Sequence, residues 1–221
     1  MGIAGVGDGR SLGRIGLKTL VYFEIVTTIA IVLGLVLGNV LHPGVGTDLS
    51  QLGHTDIARY QQTIIAFSTC SSATVLPQLM KKMEDFGVPK SITTFVVPTG
   101  YTFNLDGASI YLGIGTLFVA QLYGVHLGLQ EQIVLVRTMV VTSKGAAGVP
   151  GFMFVILLTT LASAGLPLEG LAFIAGVDRI MDMGRTALNV VGNALAPLII
   201  ARWEGQYDAE KGKAYIASLD A

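Results

Sequence analysis

The sequence predicts an all-α membrane protein with transmembrane helices, two re-entrant helical hairpins and a broken helix. Three observations support this fold class. Hydrophobic residues make up 52% of the 221 residues and charged residues only 13%, about half the charged fraction of soluble domains. The chain contains apolar segments long enough to cross a bilayer. Small or polar residues interrupt several of these segments at what would be membrane depth. The lipid bilayer is therefore the expected surroundings of the chain.

Charge and cysteine content exclude several other classes of protein. The net charge of -1 provides no basic field for nucleic acid, so we expect no nucleic-acid partner. The single cysteine, Cys70, excludes an internal disulfide framework and a CxxC metal or redox motif. The opening residues lack the apolar core of a secretory signal, and we interpret residues 1–19 as an N-terminal tail.

Residues 20–41 form the clearest spanning segment, because they carry one charge, Glu24, over a length that crosses about 30 Å of hydrocarbon. Residues 34–38 contain one GxxxG motif, which is weak evidence for helix packing, so we interpret the segment as an ordinary lipid-facing helix. Glu24 either pairs with Lys18 or serves as a functional carboxylate. A His-Pro-Gly sequence ends the helix, and residues 42–62 are a polar connector.

Residues 63–208 form the second predicted unit, and residues 209–221 a C-terminal tail. In chain order, the unit contains a short hairpin at 63–80, a broken helix at 91–123, a second hairpin at 133–161 and an apolar helix at 168–201. The hairpin segments are each divided by small residues, which favours a re-entrant turn over a continuous span. The broken helix is interrupted by the sequence Asn-Leu-Asp-Gly.

Polar side chains form one stripe along the final apolar helix. The stripe consists of Asp178, Asp182, Arg185, Asn189 and Asn193, with Thr186 alongside. Charges in a bilayer core cost about 2.5 kcal/mol or more each, so such a stripe usually faces a cavity. The guanidinium of Arg185 suits a carboxylate, the carboxylate of Asp182 suits an ammonium, and Asn189 suits either. The stripe indicates an acidic amino acid as ligand. The alternative is an Asp182–Arg185 pair that only locks helices together.

The Asn-Leu-Asp-Gly break presents a second set of polar groups. Asn104 and Asp106 offer amide and carboxylate oxygens, and Gly107 allows an unwound backbone whose carbonyls are exposed. These hard oxygen ligands are those that alkali cations prefer, so the break predicts coupling to an ion. The alternative is a simple surface turn.

The centres of the two hairpins contain small residues that suit contact with a ligand. Ser71 and Ser72 offer hydroxyl and N–H groups to an anion, while Gly148 and Gly151 allow close approach of the backbone. Cys70 is more typical of an inert small residue than of a nucleophile.

These motifs resemble the dicarboxylate/amino acid:cation symporter family, the glutamate transporter homologues, and most of all its bacterial proton-coupled glutamate/aspartate branch. STCSSATVLP resembles the family's first hairpin tip and SKGAAGVPG its second. PTGYTFNLDGASIY resembles the family's broken seventh helix, and GVDRIMDMGRTALNVVGN its eighth. The resemblance covers nearly all of residues 63–203 and the first helix.

The resemblance implies a role for each matching residue. Asp182 would contact the substrate amino group, and Arg185 its side-chain carboxylate. The other implied substrate contacts are Thr186, Asn189, Ser71, Ser72, Val149 and Gly151, of which the last four belong to the closing tips. The implied cation-binding residues are Gly100, Asn104, Asp106, Asn189, Asn193 and, on the first helix, Thr27. No cofactor or metal is implied beyond coupling sodium ions or protons.

Three positions depart from the family pattern. Asn193 stands where sodium-coupled members carry an aspartate, Leu105 replaces a methionine, and Ala108 replaces a hydroxyl residue that helps to hold substrate. The sodium stoichiometry is therefore open, and protons become a plausible coupling ion.

The chain is also too short for the family, since about five of the eight spanning helices have no counterpart. Basic residues place the start of the first helix, the exit of the first hairpin and the end of the final helix on the same, inner side of the membrane. These residues are Arg10, Arg14, Lys18, Lys81, Lys82, Lys90 and Arg202. The polar connector would then have to return across the bilayer, which its polarity does not allow as a helix. An internally shortened chain, an unusual orientation or an additional chain would resolve this.

The expected function is cation- or proton-coupled uptake of glutamate or aspartate by an elevator-like movement, with C4-dicarboxylates as a further substrate class. We expect the chain in a bacterial cytoplasmic membrane, and the resemblance implies a homotrimer. Covalent chemistry is not needed, so we expect no enzyme. Two alternatives remain open: a substrate-binding remnant that does not transport, and an intramembrane enzyme using Asp178 and Asp182 as acid and base.

Overall fold

The computed structural model describes residues 9–47, 76–144 and 152–219, and these residues form helices without any β-strand. The α-helices are α1 (Gly9–Leu41), α2 (Leu76–Asp85), α3 (Lys90–Phe103), α4 (Asp106–Leu122), α5 (Leu129–Ser143), α6 (Phe152–Ser163), α7 (Leu171–Trp203) and α8 (Ala209–Leu219). A short 3-10 helix, Leu168–Gly170, precedes α7. Two stretches, Arg10–Leu41 and Lys90–Leu122, are long and apolar enough to cross a membrane. The predicted all-α class is confirmed.

The first helix begins earlier than the sequence predicted, at Gly9 within the expected N-terminal tail. Ile15 is buried and packs in a cluster with Val88, Ile92 and Ile200, which anchors this part of α1 to α3 and α7. The helix ends at Leu41, as predicted, and the next residue, His42, has a positive φ of 47°.

One face of α1 packs closely on α4. A β-carbon at Gly34 would collide with the backbone carbonyl of Ile110, and one at Gly38 would lie 2.8 Å from Leu117. From the other side, a β-carbon at Gly113 would lie 2.9 Å from the Cα of Gly34. The GxxxG motif therefore forms a helix–helix contact, and such close backbone packing stabilises helices in lipid. The interpretation of α1 as an ordinary lipid-facing helix holds only for its opposite face, which exposes Ile25, Ile29, Val32 and Val36.

The broken helix lies where it was predicted. α3 ends at Phe103 and α4 begins at Asp106, with Asn104 and Leu105 outside helical geometry. The backbone N–H of Asn104 donates to the carbonyl of Gly100 at 2.7 Å, which closes the last turn of α3. The carbonyl of Leu105 still accepts from the N–H of Ser109 at 2.8 Å, whereas the carbonyl of Phe103 accepts from the hydroxyl of Thr27 at 3.4 Å.

The structure describes both hairpins in part. Residues 63–75 of the first hairpin lie outside the described residues, and α2 covers the remainder. The arms of the second hairpin are α5 and α6, and its tip at 145–151 also lies outside the described residues. α5 starts beside Asn39 of α1, whose amide donates to Gln132 at 2.8 Å. The re-entrant course of both hairpins stays a prediction.

Three chain segments meet at one end of the bundle. Glu204, which follows α7, forms ion pairs with Arg14 at 2.7 Å and Lys18 at 2.5 Å on α1. The N–H of Asp208 donates to the carbonyl of Gly87, which follows α2, at 2.9 Å. The three segments therefore lie at one end of the bundle, and the assignment of this end to the inner side of the membrane stays a prediction. The route of the connector beyond residue 47 lies outside the described residues.

The predicted C-terminal tail contains a helix, α8. Its Tyr215 packs edge-on against Phe86, with ring centroids 6.2 Å apart, and Phe86 also contacts Tyr207. These aromatic contacts hold α8 against the end of α2, so this part of the chain is not a free tail.

Candidate functional site

Arg185 lies at the centre of a charged pocket between α7 and α4, here called the arginine pocket and formed by Asp178, Asp182, Arg185 and Tyr111. Its Nη1 donates to Asp178 Oδ1 at 3.1 Å and its Nη2 to Asp182 Oδ1 at 2.8 Å. The guanidinium carbon lies 4.1 Å from the centroid of the Tyr111 ring. Spacings of three and seven residues place both aspartates on the helix face of Arg185. The guanidinium plane is thus fixed from three directions before any ligand binds.

The arginine pocket is buried but not fully satisfied. The Arg185 side chain is 5% exposed, and its Nε has no hydrogen-bond partner within the described residues. Asp182 is 23% exposed and Asp178 13%, so Asp182 is the carboxylate more open to exchange. A carboxylate ligand can replace Asp182 on the guanidinium, and the released Asp182 can then accept hydrogen bonds from an ammonium group.

The next two turns of α7 face the break between α3 and α4. We call Asn104, Asp106, Asn189 and Asn193 the broken-helix site. The backbone N–H of Gly107 donates to Asn189 Oδ1 at 2.8 Å, which caps the start of α4. Asn104 Nδ2 donates to Asn193 Oδ1 at 3.5 Å, a long hydrogen bond. Gly100 packs against the Asn193 side chain, where a β-carbon would collide.

The broken-helix site contains oxygen atoms suited to a cation. Asp106 Oδ1 and Asn104 Oδ1 are buried and accept no hydrogen bond within the described part of the chain. Asp106 also packs directly on α7, where Gly192 leaves room for its other carboxylate oxygen. Buried carboxylate and amide oxygens without donors are costly unless a cation or a proton satisfies them. The residues present therefore fit an alkali cation or a bound proton.

Thr27, for which the resemblance implied cation binding, lies on α1 against the end of α3. It is 1% exposed, and its hydroxyl donates to the carbonyl of Phe103, the last residue of α3, at 3.4 Å. The same hydroxyl accepts a hydrogen bond from Lys144 Nζ at 3.2 Å. Lys144 also pairs with Glu24 at 3.1 Å. The suggested Glu24–Lys18 pair is wrong, because Lys18 pairs with Glu204 instead.

Of the remaining predicted site residues, the structure describes only Thr186. Thr186 is half-buried next to Arg185. Ser71, Ser72, Val149 and Gly151 lie outside the described residues. A small cavity joins the start of α2 to the broken-helix site and is lined by Leu76, Leu79, Tyr101, Leu105, Asn189, Val190 and Asn193. The first hairpin therefore approaches the amides of α7.

Sequence reasoning assigned no role to two residues of this region, Tyr111 and Lys144. Tyr111 lies five residues beyond Asp106 in an apolar helix, where an aromatic residue is usually part of the core. Lys144 is a single charge beside an apolar hairpin arm, a signal that marks function by default. Its partners lie far away along the chain, so no local pattern revealed them.

Comparisons with known proteins identify the family of this chain. The model of the sodium:dicarboxylate symporter family matches residues 1–65 and 58–203. A proton/glutamate-aspartate symporter of Escherichia coli (strain K12) is 38% identical, with 97% of this chain and 82% of the relative covered. A proton/sodium-glutamate symport protein of Geobacillus stearothermophilus is 35% identical, with 99% and 85% covered. A C4-dicarboxylate transport protein of Bacillus subtilis (strain 168) is 28% identical, with 96% and 83% covered.

These alignments also show that the chain lacks an internal segment. The alignment with the Escherichia coli protein extends over 358 positions, although this chain has 221 residues. The two matches to the family model overlap at residues 58–65, which marks where the two parts meet. The missing stretch agrees with the absence of several helices inferred from the sequence. The charged stripe, the broken helix and the similarity over almost the entire chain lead to one conclusion: this protein belongs to the sodium:dicarboxylate symporter family of integral membrane transporters.

Proposed function

We propose that the chain binds glutamate or aspartate and carries it across a bacterial cytoplasmic membrane together with a cation or a proton. The observation that carries the proposal is the guanidinium of Arg185, held between two aspartates one turn from the broken-helix site. The names of the similar proteins, which include glutamate, aspartate and C4-dicarboxylate transporters, support the substrate class. No covalent step is part of the proposal.

Binding would proceed by exchange of partners at Arg185. The side-chain carboxylate of the substrate takes the place of Asp182 on Nη2, where the present distance is 2.8 Å. Asp182 then accepts hydrogen bonds from the substrate ammonium, while Asp178 remains on Nη1 and keeps the guanidinium oriented. Because one carboxylate replaces another, the buried charge of Arg185 stays paired throughout. Thr186 and Asn189 supply further polar contacts, and the tips containing Ser71, Ser72, Val149 and Gly151 close over the substrate.

The ion would bind at the broken-helix site, where Asp106 and Asn104 present oxygens without hydrogen-bond donors in the described residues. Asn189 contributes to both regions, since it lies one turn from Arg185 and accepts from the N–H of Gly107. Filling the ion site fixes Asn189 and the start of α4, and this lowers the cost of ordering the substrate contacts. Gly100, Asn193 and Thr27 complete the ion-binding set. A trimeric assembly belongs to the same proposal.

Calorimetric titration tests the proposal. The purified protein is titrated with L-aspartate, L-glutamate and succinate, in sodium chloride and in choline chloride, at two pH values. Saturable binding of an amino acid that depends on sodium or pH is expected, and weaker binding of succinate, which lacks the ammonium partner of Asp182. Absence of binding in a protein shown to be folded would overturn the proposal.

The internal gap in the alignments favours a second candidate function, binding without transport. The relatives contain a long segment that has no counterpart here, and translocation requires a static part against which the substrate core moves. Reconstitution in proteoliposomes separates the candidates. Uptake of radioactive L-aspartate driven by a sodium or proton gradient supports transport, whereas normal calorimetric affinity without uptake supports a binding protein.

A further inference from the structure

Lys144 places a positive charge beside the broken helix. It follows the last residue of α5, and its side chain is 20% exposed. The ammonium lies 3.1 Å from Glu24 Oε2 and 3.2 Å from Thr27 Oγ1, both on α1. The lysine thus connects the first arm of the second hairpin to the first helix.

The oxygens that surround Lys144 are of the kind that an alkali cation requires. They are a carboxylate and a hydroxyl, and the hydroxyl in turn contacts the carbonyl of Phe103 at 3.4 Å, directly before the break. A lysine ammonium is a compact point charge with donors only, so it seeks the same oxygen ligands as sodium does. In the described structure, the Lys144 ammonium contacts two of these oxygens, one of Glu24 and one of Thr27.

The charge of Glu24 also favours a cation at this position. Glu24 lies on α1, a helix long and apolar enough to cross a membrane, and a carboxylate on such a helix is unfavourable unless a cation pairs with it. Lys144 pairs with Glu24, and Asp106 begins α4 three residues after Phe103, whose carbonyl contacts Thr27. The positive charge of Lys144 therefore takes the place of the charge that a bound cation would otherwise supply.

We propose that the Lys144 ammonium is a resident cation of the ion site, which occupies the oxygens of Glu24 and Thr27 and makes a bound sodium ion unnecessary there. This inference rests on the proposed function and adds the cation specificity of its site. It predicts that the chain tolerates the absence of sodium because of one lysine. It also predicts that removal of the lysine charge creates a sodium site with Glu24, Thr27 and the carbonyl of Phe103 as ligands.

Thermal unfolding of the purified protein without substrate tests this directly. The midpoint Tm is measured in sodium chloride and in choline chloride of equal ionic strength. We expect no sodium-specific change for the wild type. For Lys144→Met we expect sodium to raise Tm by about 2–4 °C over choline, as binding of a ligand to the folded state alone would. Lys144→Arg, which keeps the charge, should behave as the wild type does.

The matched control is Lys81→Met, because Lys81 lies at the surface and pairs with Asp85 on α2. It should show no sodium-specific shift. A folded Lys144→Met protein without a sodium-specific shift would overturn the proposal and leave Lys144 as a structural link between α5 and α1. A sodium-specific shift in the wild type would overturn it as well, and this measurement decides the matter if the methionine variant does not fold. Since no substrate is present, failure here is distinct from failure of the proposed function, which the titration with L-aspartate tests separately.

Discussion

The arginine pocket and the broken-helix site are adjacent on α7 but satisfy their polar groups differently. In the arginine pocket, Asp178 and Asp182 already occupy Arg185, so the guanidinium is paired without a ligand. In the broken-helix site, oxygens of Asn104 and Asp106 have no hydrogen-bond partner among the described residues. The first region is therefore suited to an anion that exchanges with Asp182, and the second to a cation that is added without displacing a protein group. One helix face can serve both kinds of ligand because its charges change over two turns.

The largest effect is expected from Arg185→Lys. Lysine keeps the positive charge but loses the planar fork that holds two carboxylates, so the exchange between Asp182 and substrate has no fixed geometry. We expect L-aspartate to bind at least about 100-fold more weakly, on the order of 3 kcal/mol, in calorimetric titration. Arg137→Lys on the exposed side of α5 is the matched control and should bind normally. Normal affinity in Arg185→Lys would remove the guanidinium from the site.

Asp106→Asn separates the two regions. The amide has nearly the same shape as the carboxylate but no negative charge, so the broken-helix site no longer attracts a cation or a proton. We expect substrate affinity to fall about 10-fold, near 1.4 kcal/mol, and to lose its dependence on the coupling cation or proton. The measurement is calorimetric titration in sodium and in choline.

Asp85→Asn removes a carboxylate that pairs with Lys81 at the surface, and it should preserve the ion dependence. If Asp106→Asn retained the full dependence on cation or pH, the two regions would not be coupled through this carboxylate.

The packing of Asp106 against α7 gives a third test, on stability. In Gly192→Ala the new methyl group meets the carboxylate of Asp106, and such overpacking costs about 1–3 kcal/mol. In Gly176→Ala, on the same helix, the methyl group has no described neighbour within 4 Å, and the helix gains about 0.5–1 kcal/mol. We expect opposite changes in Tm. Equal changes would show that Asp106 does not lie on Gly192.

The smallest effect is expected at Glu204, whose ion pairs lie outside both regions. Lys18 and Arg14 hold the pKa of Glu204 below its ordinary value of 4.5. The stabilisation is therefore complete above pH 4.5 and is lost as the pH falls through the lowered pKa. At pH 7, Glu204→Gln should be less stable by about 1 kcal/mol. Thermal unfolding of both proteins should show this difference shrinking in acid, and a constant difference down to the lowest pH would contradict the assignment.

The sequence allowed prediction of features that depend on spacing along one element. The polar face of α7 could be predicted from residue spacing, because a helix repeats every 3.6 residues. The break before Asp106 could be predicted because polar residues interrupt an otherwise apolar segment that is long enough to span a membrane. Partners on other elements could not be predicted in this way. Tyr111 meets Arg185, and Lys144 meets Glu24, only after the helices pack.

Helix ends were predicted less well than helix faces. The start of α1 and the whole of α8 were expected to be tails, since their sequences are not uniformly apolar. Buried Ile15 and the aromatic contacts of Tyr215 stabilise them as helices. Tertiary contacts of this kind override local propensity, and they leave no local periodicity to recognise.

The glycine contact between α1 and α4 determines which parts of the molecule can move relative to each other. At Gly34 the two backbones touch, with the carbonyl of Ile110 where a side chain would otherwise stand, and Gly38 accommodates Leu117 in the same manner. If α1 slid along α4, the two helices would first have to separate, because their backbones are in contact at Gly34. In the proposed transport, the rigid unit that carries Asp106 would therefore include the first helix, and a stationary partner would contact α1 on its far face.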